Sequence, residues 1–312
     1  MDERPKTLAT ITRDRGEGRR ERKRIKERSS FIGMRREINY LVLQGGGIRC
    51  AWQAGFIAAF ERASPIRPWA ISAVSASSTV ACALVCRRLE FAVDSFKAAI
   101  ARKAKNTFVT RMLKGQGILP HADIYRNAVL RTFDQAAMEN LFAGPDIQIL
   151  VTRMSAKLPK YLGMLAGLSL CGLQAFGTGR RYRYMQAQFG FRKEFVPVKR
   201  CATPAELADL VLASSCTPPF TPFYSLQGRP VLDGGLTESV PLSGLPQKTG
   251  LTLVLLTAKL AATDRIPGIL YAEPSEEIRV NSWTYDTDKI DYLYALGQKD
   301  GCSFLNGSRN EV

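Results

Sequence analysis

The chain has 312 residues, 46% of them hydrophobic and 23% charged, a balance that excludes a wholly disordered or collagen-like polymer and predicts a globular protein with a sizeable core. Forty-four Lys and Arg against 28 Asp and Glu give a net charge of +16, which points to an anionic partner such as a membrane surface or nucleic acid. Seven cysteines without a CxxC pair and a single histidine, His121, exclude a Cys/His zinc finger.

Residues 1–37 hold 13 basic and 7 acidic residues, and Arg19 to Arg28 alone holds 7 and 2. A segment with so little apolar surface cannot offset its ordering entropy, so a basic, disordered arm is expected, or at most a polar helix that forms on a surface. It contains no apolar h-region, so no secretory signal peptide is expected; the thiols are expected to be reduced and the protein cytoplasmic.

From Ile38 short apolar runs alternate with helical stretches. INYLVLQ reads as a strand that runs into Gly45-Gly46-Gly47 and then a helix, CAWQAGFIAAFERA. A second such unit follows, with a strand over Trp69 to Ala73, a turn over Val74 to Ser77 and a helix over Thr79 to Leu89. His121 falls in an unpatterned stretch, GILPHADIY, read as a loop. Ile147 to Thr152 and Leu251 to Thr257 are continuous apolar runs of the kind found in sheets covered on both faces. The C-terminal YDTDKIDYLYALGQKDGCSFL predicts an amphipathic helix with its Tyr and Leu residues in the core. The fold class that follows is α/β, with a mainly parallel central sheet sandwiched by helices in one domain over residues 38–312.

Between these elements, residues 161–179 carry no charge and are bracketed by Lys157, Lys160, Arg180, Arg181 and Arg183. Their length borders on a membrane span. Two readings stay open: a buried core helix, or an apolar surface that docks into lipid. Cys82 and Cys86, four apart in a helix of small residues, are read as core packing.

The glycine run could serve a dinucleotide, but Cys50 stands where GxGxxG needs its third glycine, and no acid closes a second strand about 20 residues on. Unpaired amides at such a turn can instead stabilise a developing oxyanion. Ser75, in Ala73-Val74-Ser75-Ala76-Ser77, lies at a strand-to-helix turn between small residues, as a sheet-end nucleophile requires. Its base is better sought at Asp233, in Val231-Leu232-Asp233-Gly234-Gly235, than at the isolated His121.

Together LQGGGIRCAWQAGFIAAF, ISAVSASSTV and VLDGGLTESVP, with LADLVLASSCTPPFTPF before the last, resemble the patatin-like phospholipase family in order and spacing. That family carries a GGGxRG oxyanion loop, a GxSxG serine, an A-S-x-x-x-P segment and a DG[GA] aspartate, and uses a Ser-Asp dyad without histidine. The resemblance spans roughly residues 38–305 and makes 38–312 the catalytic domain. It implies Ser75 as nucleophile, Asp233 as its base, and the Gly45-Gly46-Gly47 loop as oxyanion hole, with Arg49 at the loop's basic position. No cofactor or metal is implied. The implied reaction is hydrolysis of phospholipid or lysophospholipid acyl esters through an acyl-enzyme. The implied partner is a phospholipid membrane surface, anionic lipid favoured, with peripheral association; nucleic acid is not expected, since no RNP1 or helix-turn-helix pattern accompanies the charge.

Three positions depart from the family pattern. Ala73 and Ser77 replace both glycines of GxSxG, and Cys50 replaces the glycine closing GGGxRG. Each adds a side chain at a turn where positive φ costs a non-glycine residue about 1–2 kcal/mol. A catalytically weak or inactive lipid-binding member is therefore the alternative to a working hydrolase.

Overall fold

The computed structural model describes residues 38–63, 65–103, 120–154, 190–246 and 249–306. The basic arm and the uncharged 161–179 segment lie outside the described residues. In chain order, β1 (Ile38–Leu43) leads through a 3-10 turn (Gly47–Arg49) into α1 (Cys50–Ala63), and β2 (Ala70–Val74) into α2 (Ser77–Val85). Then come α3 (Leu89–Lys103), α4 (His121–Thr132), α5 (Gln135–Ala143), β3 (Asp146–Arg153), β4 (Arg192–Pro197) and α6 (Pro204–Ser214). The short β5 (Tyr224–Leu226) and β6 (Arg229–Asp233) precede β7 (Leu251–Leu255), β8 (Ile269–Ala272) and α7 (Thr287–Leu305).

Among the described residues the strands form one sheet in the order β5-β6-β3-β2-β1-β7-β8, with β4 also on β3. The run β3-β2-β1-β7-β8 is parallel, and β4, β5 and β6 are antiparallel additions. The α/β class with a central, mainly parallel sheet between helices thus stands. Leu41, Val42, Leu43, Ile71 and Val74 are all buried, because both faces of these strands are covered.

α7 covers α1 and turns Ile290, Leu293, Leu296 and Phe304 inward. The two helices touch backbone to backbone: a Cβ on Gly55 would lie 2.0 Å from the Tyr294 carbonyl oxygen, and one on Gly297 2.0 Å from that of Trp52. The Trp52 indole donates to buried Asp300 across this contact at 2.8 Å. Tyr292, expected inside, is exposed, because it lies on the outer face of the helix.

Two elements differ from their sequence reading. The helix expected to reach Leu89 stops at Val85: Arg87 takes a left-handed φ of 55°, the Arg88 amide reaches back to the Ala83 carbonyl, and Leu89 opens α3. His121 is not in a loop but heads α4. Pro120 stands at the N-cap, and Ile124, Tyr125, Ala128, Val129 and Thr132 repeat at helical spacing on the buried face. Cys82 and Cys86 are core residues. No described helix is long and apolar enough to cross a membrane.

Candidate active site

The register on β3 brings Ser75 and Asp233 together. One edge of β3 is held by β4, so β2 and β6 share the other. β2 runs parallel to β3 and ends at Val74, opposite Leu150. β6 runs antiparallel and ends at Asp233, opposite the next residue, Val151. The two strands therefore meet C-terminus to C-terminus, and the residues that leave them face each other. The Ser75 hydroxyl stands near enough to the Asp233 carboxyl across this junction to favour its ionised form. Gly234 allows the meeting, since a Cβ there would lie 2.2 Å from the Leu150 carbonyl oxygen and 2.7 Å from a Val74 methyl.

Ser75 takes a φ of 59°, the left-handed conformation of a sharp strand-to-helix elbow. Two buried hydroxyls flank it. Ser214, at the end of α6, accepts the Ser75 amide at 2.7 Å and donates to the Leu150 carbonyl at 2.7 Å. Ser77 accepts the Val74 amide at 3.1 Å and has the Val74 and Leu43 carbonyls within reach of its proton at 2.8 and 3.0 Å.

The strain expected at the three substituted glycines is not found. Left-handed φ occurs at Ser75 and at neither Ala73 nor Ser77. Cys50 is right-handed helical, with φ −65° and ψ −13°. Ala73 is an ordinary strand residue and Ser77 the first of a helix, so L-residues fit all three positions without that cost.

The glycine loop lies against the elbow, where a Cβ on Gly45 would be 3.4 Å from that of Ser75. Its approach is moored by side chains. Gln44 accepts the Thr257 amide at 2.7 Å, and buried Gln53 donates to the Gln44 and Leu255 carbonyls at 2.9 and 2.8 Å. The Thr257 hydroxyl donates to the Gly45 carbonyl at 2.8 Å. Gly47 has a φ of 57°, and its missing Cβ admits the Ser282 carbonyl oxygen, which accepts the Ile48 amide at 3.1 Å. As the first residue of the 3-10 turn, Gly47 directs its amide out of the turn. The Gly46 amide is turned toward the Cys50 thiol. Arg49 is not aimed at the nucleophile: its Nε donates to the Val280 carbonyl at 2.9 Å and pins residues 280–285 over the loop.

Burial pushes the Asp233 carboxyl up to about 6, against the Ser75 hydroxyl and the Gly235 amide at 2.7 Å, which both favour its ionised form. It therefore holds a proton more readily than a free aspartate yet is mostly ionised at neutral pH. His121 is buried, stacks on Tyr125 with ring centroids 4.1 Å apart, and meets the Tyr285 hydroxyl through Nδ1 at 2.8 Å. Desolvation lowers its pKa to about 3, so the ring is neutral and packed away from proton transfer.

Beside Ser75 an apolar cavity opens between α1, α2, α3 and α4. Its lining includes Gly47 and Cys50 from the glycine loop and α1, Ala76 next to Ser75, Ala83, Phe96 and Tyr125. A cavity with so apolar a lining has the character of a hydrocarbon-binding slot.

Sequence reasoning missed Ser214's contact, the Gln44-Gln53-Thr257 mooring and the 280–285 strap. Of these, only Ser214 carried a signal, its place in the A-S-x-x-x-P segment.

A serine on a sheet-end elbow, a glycine loop beside it and a buried acid after a converging strand form, in this α/β protein, an arrangement of the kind acyl-transfer chemistry uses. A family model for patatin-like phospholipase matches residues 41–245, well over half of the chain, and the protein belongs to that family. Membership supports a lipid acyl hydrolase activity in general terms. No curated protein matches the chain. Among solved structures, VipD from Legionella pneumophila is similar at 13% identity and a TM-score of 0.44, over 87% of this chain and 67% of that one.

Proposed function

We propose that the protein is a serine acyl hydrolase that cleaves acyl esters of phospholipids or lysophospholipids, with Ser75 as nucleophile and Asp233 as base. The observation that carries this reading is the convergence of Ser75 and Asp233 where β2 and β6 meet on one edge of β3, with an apolar cavity reaching Ala76.

The chemistry runs in two halves. Asp233 takes the Ser75 proton as Oγ adds to the ester carbonyl, and the amides of Gly46 and Gly47 donate to the resulting oxyanion. Collapse breaks the ester C–O bond, the alcohol leaves with the proton from Asp233, and the acyl group remains on Ser75. Water then loses a proton to Asp233, attacks the acyl-enzyme and releases the fatty acid, and Ser75 regains its proton. The fatty chain occupies the apolar cavity. Arg49 acts on the oxyanion loop from outside, by holding the strap at Val280. The working surface is a phospholipid membrane, anionic lipid favoured, to which the protein associates peripherally.

A second reading, a lipid-binding member without turnover, is favoured by one observation: the Cys50 thiol, where the family has glycine, lies beside the Gly46 amide. Release of fatty acid from phospholipid and lysophospholipid vesicles by wild type, Ser75→Ala and Asp233→Asn separates the two. The proposal expects wild-type turnover and its loss in both variants. Vesicle binding without fatty acid release by folded wild type would leave the second reading standing.

A further inference from the structure

We propose that Ser214 and Ser77 are positioning residues that hold the strained elbow in register with its base on one side and the oxyanion loop on the other; this rests on the reading of Ser75 as nucleophile.

The junction of β2 and β6 interrupts one edge of β3. At this break the Ser214 hydroxyl donates to the Leu150 carbonyl at 2.7 Å, and its own Oγ accepts the Ser75 amide at 2.7 Å. Ser214 thereby splices the nucleophile's backbone onto β3, one residue before Val151, which pairs with Asp233. The hydroxyl uses both its functions, one donated and one accepted bond, and is fully buried. It therefore sets the distance from Ser75 to the strand register that positions Asp233.

Ser77 works from the opposite side. It accepts the Val74 amide at 3.1 Å, and its proton reaches the Leu43 carbonyl at 3.0 Å, where β1 gives way to the glycine loop. The Val74 carbonyl, at 2.8 Å, competes for that proton. A glycine at 77 would leave the elbow without any of these bonds. Ser77 is thus an added link between the elbow and the oxyanion loop, and restoring the family's glycine removes a contact instead of relieving strain.

Ser75 has a left-handed φ that its own side chain does not favour, so its geometry depends on what surrounds it. Misplacement of a reacting group by an ångström can cost about 100-fold in rate. Loss of these anchors should appear in kcat, with substrate binding in the apolar cavity unaffected.

The test measures kcat and KM on a soluble short-chain ester for Ser214→Ala, Ser214→Cys, Ser214→Thr and Ser77→Gly, with melting transitions for each. Cysteine keeps the branching of serine with a somewhat larger atom and is a weak donor, so, with the melting transition, it separates lost positioning from a lost fold. The expectation is a drop in kcat of roughly tenfold or more for Ser214→Cys and Ser77→Gly at KM within about twofold, with recovery in Ser214→Thr. Folded Ser214→Cys and Ser77→Gly at wild-type kcat would overturn the proposal, as would a rise in kcat for Ser77→Gly. Ser75→Ala serves as control: if it turns over, the nucleophile itself is wrong, whereas a dead Ser75→Ala beside fully active Ser214→Cys and Ser77→Gly sinks the positioning role alone.

Discussion

Asp233 carries the main conflict between stability and chemistry. Its carboxyl is raised to about 6 by burial, whereas in the unfolded chain it ionises near 3.8. Between those values the folded state binds more protons than the unfolded one, so this group's contribution to stability falls as pH rises through about 4 to 6. Asp233→Asn should remove that slope, melt no lower than wild type at pH 8, and show no turnover; a variant that instead unfolds would make the carboxylate structural. If Asp233 is the base, as proposed, it must be ionised, and kcat/KM on a neutral ester should rise with pH around 6. Because a histidine base would titrate close by, position alone does not discriminate, and His121→Phe does: with the ring held neutral down to about pH 3, the limb should stay where it is. Gly234→Ala would thrust a methyl to 2.2 Å from the Leu150 carbonyl oxygen. A loss of about 1–3 kcal/mol in chemical denaturation, together with lost turnover, is expected there.

At the scale of elements, the two strand-turn-helix units were readable because their signals are local. An apolar run ends at a glycine turn and a helix of small residues follows, so β1, α1 and β2 came out of the pattern nearly residue for residue. α4 was not readable: its apolar face at Ile124, Tyr125, Ala128 and Val129 is spaced correctly, but Gly and Pro upstream of His121 masked its start. Ser75 and Asp233 could each be picked from their local turns, and family spacing strengthened their pairing. What joins them, β2 and β6 meeting on one edge of β3, is a register between segments about 80 residues apart, and no local pattern encodes it. The supposed cost at Ala73, Ser77 and Cys50 was misjudged for a related reason: left-handed backbone is confined to Ser75 within the elbow and to Gly47 in the loop. The cavity between α1, α2, α3 and α4 gives a further test. Ala83→Leu adds bulk to its wall, and kcat/KM measured along a series of ester chain lengths should fall for long chains and hold for acetate and butyrate. An equal loss at every length would mean that the chain binds elsewhere.

For the whole molecule, the charge is the dominant fact, +16 with +6 of it in residues 1–37. Basic residues near an anionic surface contribute about 1 kcal/mol each, and added salt screens them. Deleting residues 1–37 should weaken binding to anionic vesicles and flatten its salt dependence, while hydrolysis of a soluble ester continues. An unchanged salt response would assign the attraction to the rest of the chain. On the proposed reading surface attraction and chemistry are separable, and the chemistry is assigned to the Ser75 hydroxyl. The most direct measurement is labelling of the folded, vesicle-bound protein with a fluorophosphonate, with the modified residue mapped by mass spectrometry. The label should be found on Ser75 and vanish in Ser75→Ala and Asp233→Asn. A label on Ser77 or Ser214, or no label on folded wild type, would contradict Ser75 as the nucleophile.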